Sequence, residues 1–194
     1  MKARRVSKLD PQAPLADMAE RIVRVRLDEL YSFVPRALAP TEHGAQHDMR
    51  IAAKRLRYVL EVTAPCFGSY AATAAKRARQ LQDILGEVHD CDVLLPEVQA
   101  HIVRLRARDA ATVRARAGDA GDLDPALTTR APHRAAYRGL EVLCVHLQAR
   151  RQLLFERFVE RWASLQRAGL RRRLEQALAE RAASPQAAQL AGTR

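Results

Sequence analysis

The sequence predicts an all-α protein, a four-helix bundle of long amphipathic helices, on three observations. Apolar residues recur at three- and four-residue intervals over four long stretches. The chain is rich in Ala, Leu and Arg and poor in the β-branched and aromatic residues that strands favour. Helix breakers are scarce, 8 Gly and 9 Pro in 194 residues. A chain of this length can bury a core without disulfides or metals.

The first periodic segment runs from about Asp17 to Leu38, with Val23, Leu27, Leu30, Val34 and Leu38 along one face, and Pro40 closes it. After the TEHG connector a second helix starts near Gln46 and ends before Pro65, burying Met49, Ala52, Leu56, Val59, Leu60 and Thr63. Cys66 to Ser69 reads as a turn. The third helix spans about Ala72 to Leu95 and buries Leu81, Ile84, Leu85 and Val88; Pro96 should kink or restart it, and a continuation would reach Arg108. Residues 109–131 lack sustained periodicity, which predicts a long disordered loop there. The fourth helix fills about His133 to Ala168, with Leu140, Cys144, Leu147, Leu154, Phe158, Trp162 and Leu165 at helical spacing. Gly169 marks a break before a short amphipathic helix over Leu170 to Ala183. The expected organisation is one bundle over 16–183 between tails at 1–15 and 184–194.

Lys and Arg number 33 against 22 acidic residues, a formal charge of +11. Such an excess suits a polyanionic partner. The cations are 29 Arg and 4 Lys, a bias that fits bidentate phosphate contacts but also a GC-rich genome. Cys66, Cys91 and Cys144 are odd in number and set among apolar residues, as reduced, buried thiols of a reducing compartment would be. No stretch approaches the ~18 apolar residues of a membrane span, and a cytoplasmic protein is expected.

The most informative stretch is HDMRIAAKRLRYVLE, residues 47–61. At about 100° per residue, His47, Arg50, Lys54 and Arg57 fall within roughly a quarter-turn, nearly opposite Ala52, Leu56 and Val59, with Arg55 to one side. Like charges at i and i+4 cost an isolated helix ~0.2–0.5 kcal/mol per pair, so Arg50 beside Lys54 calls for an anion or for nearby carboxylates. A solvated charged face is the plain alternative. On the third helix Lys76, Arg79, Asp83 and Asp90 share a face with Gly86, and Asp83 and Asp90 are candidates to orient Arg50 or Arg57 by bidentate pairing. On the fourth, His146, Arg150, Arg157 and Arg161 flank the apolar face. A phosphate polymer suits three cationic helices because its repeating charge needs many modest contacts, with binding that falls steeply with salt. No Gly-rich loop is present to cradle a single nucleotide phosphate.

His47-Asp48-Met49-Arg50 followed by Lys54-Arg55-Leu56-Arg57-Tyr58, together with Leu85-Gly86 followed by His89-Asp90-Cys91-Asp92-Val93, resembles the two motif helices of the conserved histidine α-helical domain, CHAD. FERFVERW near 155–162 is a weaker echo of that family's later helices. The resemblance implies a single CHAD-like unit that binds inorganic polyphosphate through basic residues, needs no cofactor, has no enzymatic activity of its own, and belongs among proteins found with polyphosphate granules. His47, Arg50, Lys54, Arg55 and Arg57 match the first motif; Asp90 and Asp92 match the second. The family often carries Arg where this chain has His89, and its usual unit is two four-helix bundles, where this chain has room for about one. A homodimer would restore the pair.

Two other readings compete. His47-Asp48 and His89-Asp90 suggest a metal-dependent phosphohydrolase, but Arg50, Lys54 and Arg57 on the face of His47 would repel a cation. A nucleic-acid-binding bundle fits the charge about as well, although the single Trp and few other aromatics offer little stacking surface. Nucleic acid thus stays open as a partner.

Overall fold

The computed structural model describes residues 2–180. It is all-helical, with no β-strand among the described residues. The elements in order are α1 (Leu15–Ser32), α2 (Val34–Ala37), α3 (His43–Thr63), α4 (Tyr70–Ala117), α5 (Arg134–Arg167) and α6 (Leu170–Ala179), with 3₁₀ turns at Ala64–Cys66 and Pro125–Arg130. The described residues form two compact units: residues 2–86 with 155–180, and residues 87–154. The sequence suggested one bundle over 16–183, a boundary whose end lies outside the described residues.

The first unit holds the larger core. Val23, Leu27 and Leu30 of α1 meet Met49, Ala52, Ala53, Leu56 and Leu60 of α3, all essentially inaccessible to solvent. The alanines on α3 allow α1 to pack closely. Leu81 and Leu85 of α4, Phe158 and Trp162 of α5, and Leu174 and Leu178 of α6 complete the cluster. Each fully buried Leu or Phe contributes ~1.5–3 kcal/mol relative to leaving it exposed. Tyr31 meets Trp162 edge-on, with ring centroids 5.2 Å apart, and its hydroxyl accepts from Gln166 Nε2 at 3.1 Å. Gly169, at φ +67°, turns the chain between α5 and α6. The Gly68 amide donates to the Ala177 carbonyl at 3.0 Å, fastening the turn before α4 to α6.

In the second unit Val88, Cys91, Leu147 and Leu154 form a small core, flanked by Leu95 and Val98. Ile102, Leu105 and Val113 are buried further along α4.

Three boundaries differ from the sequence reading. The first predicted helix divides at Phe33, because Pro35 has no amide to give the Tyr31 carbonyl, and Leu38 is half-exposed. The third neither ends nor restarts at Pro96, since α4 runs through it. The loop expected near 109–131 is largely structured: α4 continues to Ala117, Gly118 leaves it at φ +56°, and Asp124 caps the Pro125–Arg130 turn by accepting from the Ala126 amide at 2.9 Å. Residues 109–117 are mainly Ala and Arg, strong helix formers, and Asp109 and Val113 are both buried there.

Candidate functional site

On α3 the core residues fix which way the cations face. With Met49, Ala52, Ala53, Leu56 and Leu60 turned inward, the ~100° step per residue places Arg50, Lys54 and Arg57 on one flank beside that stripe. Arg50 has no hydrogen-bond or ion-pair partner among the described residues, although its Nε is buried. Lys54 is exposed, its Nζ 5.7 Å from the Tyr58 ring centroid, and it too has no carboxylate partner among the described residues. Arg57 is better held. Its Nε lies 3.1 Å from Glu61 Oε1 as an ion pair, its Nη1 donates to Gln82 Oε1 at 3.1 Å, and its guanidinium carbon sits 4.4 Å from the Tyr58 ring centroid. His47 is half-buried in the first turns of α3.

Arg55 leans to the other side, towards α1. Its Nη1 donates to Glu29 Oε1 at 2.8 Å. Glu29 is only 1% exposed and also accepts from Arg26 Nη1 at 2.7 Å on Oε2 and from the Arg4 amide at 3.2 Å on Oε1. A buried carboxylate needs such partners, and this one gathers two guanidinium groups.

The carboxylates that pair with arginines of α3 are Glu61, with Arg57, and Glu29, with Arg55, where the sequence suggested Asp83 and Asp90 for Arg50 or Arg57. Asp83 is exposed and pairs loosely with Arg79, Nε to Oδ2 3.9 Å. Asp90 is exposed on the part of α4 that belongs to the second unit. Gly86 does lie beside α3, as an added Cβ would sit 3.5 Å from Arg50 Nε. That is ordinary contact, so alanine would fit.

The remaining cations separate into groups. Arg157 and Arg161 line a cleft of about 620 Å³ with Gln80, Asp83, Glu160 and Ser164, and Lys76 borders an adjoining space with Gln80 and Arg161. Gln82 and Gly86, which face α3, lie about 160° around α4 from Gln80 and Ile84, which face this cleft. Lys76, Arg79 and Asp83 project between the two flanks. In the second unit Arg150 donates to Glu87 at 2.7 Å and to Cys91 Sγ at 3.5 Å. There Arg151 pairs with Asp92 at 2.9 Å, both largely buried.

A second buried carboxylate, Asp109, organises the turn that reverses the second unit. It is 4% exposed, takes the His133 ring at 2.6 Å and the His133 amide at 3.1 Å, and accepts a short hydrogen bond from the Tyr137 hydroxyl. Burial pushes its carboxyl upward, but the hydrogen bonds from Tyr137 and His133 together outweigh this and hold it below the ordinary value of 3.8. Burial and the adjacent carboxylate push the Tyr137 phenol up to about 12.

Among the described residues no group of three or more His, Cys, Asp or Glu side chains is arranged to hold a metal ion. No helix among the described residues is long and apolar enough to cross a membrane.

Glu29, Glu61 and Gln82 are the site residues that sequence reasoning missed. Glu61 carried a signal, four residues after Arg57; Glu29 and Gln82 act across elements and carried none. Among known proteins, the family model for the CHAD domain matches residues 2–99. No curated protein and no solved structure matches the chain.

Proposed function

Because the chain belongs to the CHAD domain family, we propose that it binds inorganic polyphosphate without chemically altering it, through the cations of α3. One observation carries the reading: Arg50, with a buried Nε and no partner among the described residues, stands one turn from the exposed Lys54. Two like charges at i and i+4 with no carboxylate on either repel each other, and a cation withdrawn from water gains most from an anion that reaches it. Phosphate oxygens spaced along a polymer can serve Arg50, Lys54 and Arg57 in succession. Arg57 is already held by Glu61 and Gln82, so little side-chain entropy remains to be lost there. Arg79, Lys76, Arg157 and Arg161 extend the cationic surface, and Asp83 and Glu160 make the cleft beside them the less favourable part.

The test replaces Arg50, Lys54 and Arg57 together by Gln. Affinity for long-chain polyphosphate should fall at least tenfold near 0.1 M salt, and the slope of log K against log salt should shrink by about 2, at ~0.7 per lost contact. The melting temperature should move little, because all three heads lie outside the core. Unchanged binding by this variant would defeat the reading. Displacement of polyphosphate by duplex DNA at equal phosphate concentration would favour nucleic acid instead.

A further inference from the structure

Residues 2–8 lie in the N-terminal tail of 1–15, and their backbone is fastened to α1 at two points. The Arg4 amide donates to Glu29 Oε1 at 3.2 Å, and the Lys8 carbonyl accepts from Arg21 Nη1 at 2.5 Å. The spacing of the two clips agrees. Arg21 and Glu29 are eight residues apart on a helix, ~12 Å at 1.5 Å per residue, and Arg4 to Lys8 spans ~13 Å when extended. The segment therefore runs antiparallel to α1.

Both clips use main-chain atoms, which leaves the side chains outside. Lys2, Arg4, Arg5 and Lys8 are all exposed, and none of the four heads has a hydrogen-bond or ion-pair partner among the described residues. Lys8 is also the one described residue other than glycine with positive φ, at +58°. An L-residue there costs ~1 kcal/mol or more, and the Arg21 clip on its own carbonyl helps to hold it. The first clip is shared with Arg55, since both the Arg4 amide and Arg55 Nη1 reach Glu29 Oε1. The segment thus begins beside Arg55, on the flank of α3 that faces α1.

We infer that residues 2–8 form a cationic arm of the polyanion-binding surface, and that Glu29 is the positioning residue that joins this arm to Arg55. The inference rests on the polyphosphate reading above and enlarges that site from one helix to a surface of α3, α1 and the arm. Four further cations on a pinned backbone can follow a phosphate chain past Arg55 without ordering a flexible tail on binding.

The experiment uses the full chain and long-chain polyphosphate across a salt series. Replacing Lys2, Arg4, Arg5 and Lys8 by Gln leaves both main-chain clips in place. It should weaken binding about tenfold near 0.1 M salt and reduce the log–log slope by 2 to 3, at ~0.7 per contact. Glu29→Gln separates positioning from charge. Removing a carboxylate makes the surface more positive, so a purely electrostatic role predicts tighter binding, whereas a positioning role predicts weaker binding. If the arm variant binds as wild type while the α3 triple variant is weakened, the arm inference fails and the polyphosphate reading stands. Tighter binding by Glu29→Gln overturns the positioning role. Absence of polyphosphate binding by the wild type overturns both.

Discussion

A carboxylate buried among donors behaves differently from one on the surface, and two such residues govern this protein at short range. Asp109 lies below its ordinary value, so its contribution to stability is complete above pH ~3.8 and is lost as the pH falls from there through the folded value. Tyr137 has the opposite sign. Its neutral phenol is favoured in the folded chain, so that contribution is complete below pH 10 and disappears as the pH rises towards about 12. Tyrosinate absorbance of the four tyrosines should show a late phase near pH 12 that is absent from Tyr137→Phe. Persistence of that phase in the variant would contradict the pairing with Asp109. The alignment of Arg50, Lys54 and Arg57 was legible because it depends only on the helical step. The anchors of Arg55 and Arg57 were not, because Glu29 and Gln82 come from other helices and nothing local distinguishes either from a surface residue.

Helices were legible where an apolar stripe repeats, and their ends were less so. The division at Phe33 follows from Pro35, yet an equally visible Pro96 leaves α4 intact. Position on the helix accounts for the contrast: Pro35 lies in the first turn of α2, where no amide is needed, whereas Pro96 lies mid-helix, exposed, and leaves the Asp92 carbonyl without its helical donor. Asp92 itself is fixed through its side chain to Arg151, which helps α4 tolerate the loss. Pro96→Ala should therefore stabilise the protein by up to ~3 kcal/mol in denaturant unfolding; a destabilised variant would mean that the proline fits a local geometry alanine cannot keep. The stretch after Arg108 carries no legible period because its arginines and alanines mask the one that Asp109 and Val113 mark from inside.

At the scale of the molecule, the two units differ in how much they bury. The first has a continuous core from Val23 to Leu178, whereas the second relies on a few residues and leaves Val93, Leu94, Val103, Val142, Val145 and Leu153 about half or more exposed. Local opening follows such differences. Amides of α4 beyond Gly86 and of α5 before Phe155 should exchange with solvent sooner than those of α3 and the first turns of α4; equal protection throughout would contradict this. The sequence could not divide the chain in this way, because α4 and α5 each contribute to both units without a break in periodicity. The grip of Asp109 on His133 and Tyr137 has a further consequence for polymer length. Chain closure in the second unit is set at Asp109 and His133, so the residues beyond Gly118 need not hold the reversal themselves. Lengthening that span costs only the slowly growing entropy of a flexible loop, about 0.6 kcal/mol for each doubling, which makes it the place where this chain can accept inserted sequence at least expense to its fold.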